Sequence, residues 1–247
     1  MARDRKTVLI TGATDGIGRA LAEIYRARGE RLVLVGRRPL DSLNGGLFSE
    51  ETYCEADLCE ADCADQVCSF LRSRKIDALD LAIQNAATGY YGSVASQTEA
   101  GIRSIVAVNL LGPLRLTHAL EPYVNNAGGK HVLIGSIAHA FPCPEFAVYA
   151  ATKEALDVFG RNLRVEGDVN VQVIHPGATQ TGIHRKSGWQ EENASAYPPA
   201  ERVARRIARA IEGRGSVVTI GLRNRMLRFC GRYCGRVIEA LMRWRAR

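Results

Sequence analysis

Tyr149 and Lys153 lie four residues apart in a stretch of helical pattern, 145–165, so both side chains leave one helix face about 6 Å apart at Cβ. An ammonium beside a phenol forms a proton-transfer pair. At about 5 Å and an effective dielectric near 20 the coupling is roughly 3 kcal/mol, enough to lower a phenol by about two units from about 10. A phenol so placed can give up or take a proton in a reaction near neutrality.

A second group of residues could hold phosphate. Gly12, Thr14, Asp15, Gly16, Ile17 and Gly18 follow an apolar run and open a helical one, with glycines spaced G-x-x-x-G-x-G. Unpaired N–H groups and the dipole at a helix start favour an anion. Gly12 would permit the sharp turn, Gly16 the close approach of a pyrophosphate, and Gly18 tight helix-to-sheet packing. Asp15 puts a negative charge into this turn. The next apolar run ends in Arg37 and Arg38, where dinucleotide folds that use the unphosphorylated cofactor carry an acid. Two cations in its place predict NADP(H), with NAD(H) less favoured, the arginines pairing the 2′-phosphate.

These groups need a scaffold. Strand-like runs occur at 6–11, 31–35, 51–56, 79–84, 131–135, 169–175 and 216–220, separated mostly by helical patterns, the first being 17–28. Seven strands alternating with helices predict an α/β fold, a doubly wound, mostly parallel sheet with helices on both faces. The connection 37–50 is short and glycine-rich, so its crossover is expected to be a single turn. The length, 247 residues, and 46% hydrophobic content suit one domain and exclude a disordered chain. No apolar run is long enough to span a membrane and residues 1–6 do not resemble a signal peptide. A cytoplasmic location is therefore expected. Seven cysteines form no C-x-x-C pair, and no histidine lies near their one cluster, Cys54 to Cys68, so reduced thiols and no metal are expected.

In its glycine turn, Gln84-Asn85-Ala86-Ala87, Asn109, Ser136, Tyr149-x-x-x-Lys153 and Pro176-Gly177, taken in this order, the chain resembles the short-chain dehydrogenase/reductase family over nearly its whole length. The resemblance implies a Rossmann-type domain, an NADP(H)-dependent oxidoreductase of carbonyls and alcohols, and a homodimer or tetramer. It makes Asn109, Ser136, Tyr149 and Lys153 the catalytic tetrad, with Lys153 on the nicotinamide ribose and Asn109 holding a relay water; as hydride reaches a carbonyl carbon and charge grows on its oxygen, Tyr149 would donate the proton and Ser136 orient the oxygen, and in the oxidation direction Tyr149 becomes the base. Asp57 and Leu58 would line the adenine pocket. Asn85 and Ala86 would face the cofactor, with Pro176, Gly177, Thr179 and Thr181 along the nicotinamide side. Gln84 and Ala87 depart from the family's usual Asn-Asn-Ala-Gly and put that backbone's geometry in question.

Residues 182–199, with His184, Arg185, Lys186, Trp189, Glu191, Glu192 and Tyr197, would form a substrate lid. His139, Phe141, Pro142, Cys143 and Phe146 offer the opposite wall. The net charge of +7 resides in the tail: residues 223–247 hold eight arginines and one acid, Glu239, while the first 222 residues are neutral. A neutral body argues against nucleic acid. The domain is thus read as 1–222, followed by a basic amphipathic helix over 223–247, weakened by Gly231 and Gly235. That helix either packs on its own domain or a second subunit, or lies on an anionic membrane with access to a lipid-like substrate. The alternatives to an enzyme are a cofactor-binding sensor without turnover and a membrane-surface module.

Overall fold

The computed structural model describes residues 5–43, 45–167, 169–189 and 197–245. Seven strands, β1 (Thr7–Thr11), β2 (Arg31–Gly36), β3 (Tyr53–Glu55), β4 (Leu81–Gln84), β5 (Lys130–Ile134), β6 (Val171–His175) and β7 (Val217–Thr219), form one sheet in the order β3-β2-β1-β4-β5-β6-β7. Every neighbouring pair is parallel. All seven predicted runs are strands, with ends moved by no more than two residues. Strand interiors are apolar at consecutive positions because both faces are covered.

The helices are α1 (Gly16–Ala27), α2 (Cys63–Ser73), α3 (Glu99–Val106), α4 (Gly112–Ala127), α5 (Ala147–Glu166), α6 (Gly182–Lys186), α7 (Ala200–Glu212), α8 (Leu222–Tyr233) and α9 (Gly235–Arg245). Alternate strand residues serve opposite layers. Val8 and Ile10 pack with Leu21 of α1 and Ile207 of α7, whereas Leu9 packs with Leu71 of α2 and Leu116 and Leu120 of α4. Farther along that second face, Leu133 and Val173 meet Phe159 and Leu163 of α5. The short connection after β2 contains only a 3₁₀ turn, Leu40–Ser42.

Two helical features bear on the site and the tail. Between α3 and α4 the helix widens into a π turn, Ala107–Leu111, an arrangement frequent at functional sites. The tail is two helices, not one, because α8 ends at Tyr233 and α9 starts at Gly235.

Candidate functional site

The strand order reverses direction between β1 and β4, and ligands in such sheets bind beyond the strands' carboxyl ends at that point. A cleft of about 830 Å³ opens there. The glycine turn forms its floor. Gly12 has φ +66°, and a Cβ on it would stand 2.8 Å from Cα of Ala86; Gly16 has φ +51°, and a Cβ would stand 2.9 Å from the Thr181 side chain. Neither position admits a side chain without strain. Thr14, Asp15, Gly16 and Ile17 line the cleft. Gly18 does not; it packs inward, where a Cβ would lie 2.2 Å from the Gly12 carbonyl oxygen, the tight packing expected of it. Asp15 caps α1 by accepting from the Gly16 N–H at 2.7 Å, and Lys186 pairs with it at 2.7 Å. The acid that looked adverse to phosphate is therefore offset by a cation.

The two arginines after β2 diverge. Arg37 borders the cleft, whereas Arg38 turns away and donates to the Ser42 carbonyl at 2.8 Å. The turn at 40–42 gives Arg38 that acceptor, so of the two arginines only Arg37 borders the cleft. Asp57 and Leu58 lie on the cleft wall, Asp57 also accepting from the Cys59 N–H at 2.9 Å. Beyond β4, Thr11 Oγ1 accepts from the N–H groups of Asn85 and Ala86, each at 3.0 Å, and Asn85 Nδ2 donates to the Thr11 carbonyl at 3.1 Å. The departures from the family pattern are accommodated: Gln84 donates from Nε2 to Thr117 Oγ1 at 2.8 Å, and Ala87 borders the cleft.

Ser136, Tyr149 and Lys153 meet at the cleft's inner end. Ser136 opens the turn Ile137–His139, its Oγ accepting from the Ala138 N–H at 3.2 Å. The Tyr149 phenol is pushed up to about 12 by burial, partly offset by a hydrogen bond with Ser136. Burial brings the Lys153 ammonium down to about 8; it is 2% exposed and donates to the Ile134 carbonyl at 2.9 Å. Lys153 Nζ stands 5.7 Å from the Tyr149 ring centre. These side chains alone do not give the expected acidification by Lys153: burial raises the phenol, and the lowering that opposes it comes from Ser136.

Asn109 lies in the π turn, fully buried. Its Nδ2 donates to the Thr88 carbonyl at 2.8 Å and Thr152 Oγ1 at 3.2 Å, and its Oδ1 accepts from the Thr88 N–H at 2.8 Å. Both side-chain donors are thus spent on protein, and the amide ties the 88 loop to Thr152 of α5. Pro176, Gly177, Thr179 and Thr181 border the cleft, and the Pro176 carbonyl accepts from the Ile137 N–H at 3.1 Å, tying β6's exit to the serine turn.

The outer end is aromatic. Trp189 lies 6.1 Å from Tyr91 and 5.9 Å from Tyr197 between ring centres, and Phe146 lies 5.3 Å from Tyr91. Phe141 and Cys143 complete the expected wall, which His139 and Pro142 do not join. Glu191 and Glu192 lie outside the described residues.

His139 turns instead into a buried charge cluster that sequence reading did not find. Its ring stacks on His175 at 4.3 Å, its Nδ1 bonds Glu154, and its Nε2 accepts from Arg228 Nε at 3.2 Å. His175 Nε2 donates to Asp157 Oδ1 at 2.8 Å, and Arg228 reaches the same oxygen at 3.4 Å. Burial disfavours the Asp157 carboxylate, but the His175 hydrogen bond and nearby positive charge overcome this and hold it down at about 2. Asp157 follows Lys153 by one helical turn, a spacing that points both toward the same side of α5. Ligand atoms of His139, Asp157 and His175 lie within 4.8 Å of one another, with the Arg228 guanidinium supplying positive charge beside them.

A left-handed glycine cradle at a helix start, with Arg37 just after β2, gives the cleft donors suited to a nucleotide's phosphates. The short chain dehydrogenase family model matches residues 6–192. The Xenopus laevis dehydrogenase/reductase SDR family member 7B is 28% identical over 238 residues, covering 87% of this chain and 74% of the relative. A short-chain dehydrogenase from Sphingobium yanoikuyae in complex with NADPH superposes with TM-score 0.75 at 28% identity, covering 88% of each chain. A bulky-bulky ketone specific alcohol dehydrogenase from Comamonas testosteroni gives TM-score 0.73 at 27% identity, covering 89% of this chain and 88% of the other. With that match across most of its length and a parallel sheet presenting the glycine turn, Ser136, Tyr149 and Lys153 to one cleft, the chain belongs to the short-chain dehydrogenase/reductase family of oxidoreductases.

Proposed function

We propose that the chain is an NADP(H)-dependent oxidoreductase interconverting a carbonyl and a secondary alcohol, with Tyr149 as general acid in reduction and general base in oxidation. The observation that carries this reading is the convergence of the Tyr149 phenol, the Ser136 hydroxyl and the Lys153 ammonium in the cleft whose floor is the glycine cradle.

The cradle and Arg37 would hold the nucleotide's phosphates, and Lys153 with the 176–181 segment would hold its nicotinamide half. The bound cofactor supplies or accepts a hydride. The chain's own residues handle the oxygen. Ser136 positions a carbonyl oxygen by a hydrogen bond, and Tyr149, protonated throughout the neutral range, gives it a proton as charge develops. The buried ammonium of Lys153 lends positive charge to the Tyr149 oxygen as the proton leaves. Asn109 acts at one remove, holding Thr88 and Thr152 so that the cleft's wall and α5 keep their spacing. The aromatic outer end suits an apolar group on the substrate.

Support for NADP(H) over NAD(H) comes from Arg37 and from the missing acid after β2. Free cysteines among the described residues support a reducing compartment such as the cytoplasm. Exposed Val158 and Val165 on α5 support a homo-oligomer through the long helices. The test is Tyr149→Phe: kcat for ketone reduction, followed by NADPH absorbance over a panel of ketones, should fall by about two orders of magnitude or more, while NADPH still binds. Near-normal turnover would overturn the assignment.

A further inference from the structure

The tail helices present an apolar face that the fold leaves outward. Among the described residues, eight of the twelve exposed large hydrophobic side chains belong to α8 and α9. On α8, Met226, Phe229 and Tyr233 recur at steps of three and four, and on α9 Val237, Leu241 and Trp244 do the same, making one stripe per helix. Phe229 is 63% exposed and Trp244 76%. Phe229 and Tyr233 stack on each other at 4.7 Å.

These side chains cannot turn inward, because α8 is fixed by its other side. A Cβ on Gly231 would fall 2.0 Å from the Ala140 carbonyl oxygen, and Asn224 lies where a Cβ on Gly177 would meet it at 2.4 Å. Arg228 is committed to His139 and Asp157. Positions 224, 228 and 231 thus form the seated face, and the apolar stripe lies across the helix from it. Arg225, Arg232, Arg236 and Arg243 flank the stripe, with Glu239 the one acid in a tail of net +7. A second copy would bring an equally cationic tail against this face, since the rest of the chain is neutral, whereas an anionic surface complements it. Apolar stripes bordered by arginine are what an interfacial helix needs, and no described helix is long and apolar enough to cross a membrane.

We propose that α8 and α9 form a peripheral docking surface for an anionic lipid bilayer, the stripes entering the acyl boundary and the arginines meeting headgroup phosphates. The Gly231 contact also places α8 against Phe141 of the cleft wall, so docking would set the cleft beside the lipid.

The test is co-sedimentation of the full chain with phosphatidylcholine vesicles, with and without phosphatidylserine, which reads binding without reference to turnover. Binding is expected only with phosphatidylserine and should weaken as salt rises. Arg232→Gln with Arg236→Gln should weaken it about 30-fold, and Phe229→Ser with Trp244→Ser by about two orders of magnitude. All four positions are solvent-facing, so thermal midpoints should stay at the parent value. The proposal is overturned by equal binding to both vesicles, by no binding to either, or by parental binding in either double variant. A homodimer in light scattering that the Phe229 and Trp244 substitutions disperse, or tighter retention on single-stranded RNA than on vesicles, would overturn it equally.

Discussion

Raising the pH should silence the cleft long before its phenol ionises. Lys153 is 2% exposed, and burial brings its ammonium down to about 8, whereas Tyr149 is pushed up to about 12. Between those values Tyr149 keeps its proton while Lys153 loses its charge. If the proton donor needs that charge beside it, kcat/KM for reduction must follow the protonated fraction of Lys153, because kcat/KM reports the free enzyme's ionisations. The loss is then tenfold per unit beyond the midpoint, leaving about a tenth of the plateau near pH 9 and about a hundredth near pH 10. Initial rates of NADPH-dependent ketone reduction at constant ionic strength measure this, with thermal midpoints confirming that the fold survives the alkaline points. Lys153→Arg carries a charge that does not titrate in this range. It should lower the plateau, since a guanidinium fits poorly where an ammonium meets the Ile134 carbonyl, and remove the alkaline limb. A parental profile flat to pH 10, or a limb near 8 that persists in Lys153→Arg, would refute the reasoning.

Arg37→Ala removes the cation that borders the cleft after β2, and kcat/KM with NADPH should fall about 10- to 100-fold while that with NADH changes little; equal losses would show that Arg37 reads no 2′-phosphate. Gly16→Val forces a β-branched residue to φ +51° with its Cβ 2.9 Å from Thr181, so stability should drop by about 1–3 kcal/mol and NADPH affinity should fall with it, checked by thermal unfolding and fluorescence titration. Asp157, fully buried, is held down at about 2 from 3.8, so unfolding must release its acidity. The stabilisation, about 2 kcal/mol, is complete above pH 4 and fades as pH falls toward 2. In Asp157→Asn that acid-dependent part of the urea-unfolding free energy should vanish, at a lower overall stability because Arg228 loses its anion.

The sheet and the cleft's local parts were legible because their information is local. Seven apolar runs each buried on both faces could only be parallel strands with helical crossovers, and a glycine turn or an i, i+4 pair declares its geometry within one element. The partners of Asn109 show where such reading stops: from a π turn its amide meets Thr88 and Thr152, contacts that no spacing along the chain reveals. The Arg38 contact is similar, since the Ser42 carbonyl comes near it only once residues 40–42 coil. The phenol's acidity was misjudged because Coulomb attraction was counted without the desolvation that accompanies burial, and burial is a property of the assembled fold.

The charge cluster beneath the serine turn joins both lessons. Asp157 descends from Lys153 along α5, His175 ends β6 just before Pro176, His139 belongs to the turn that Ser136 opens, and Arg228 comes from α8. None of these suggests the others in sequence, yet each makes the others tolerable. A carboxylate so deeply buried requires a donor and a cation; His175 is the donor, and permanent charge comes from Arg161 on α5 at 3.3 Å and from Arg228 on α8 at 3.4 Å. The tail helix therefore shares in offsetting the burial of Asp157, and its guanidinium also holds His139, three residues from Ser136. The serine turn is thus anchored from β6 through Pro176 and from α8 through Arg228, so the helix that presents an outward apolar face is also part of the foundation of the proton-transfer site.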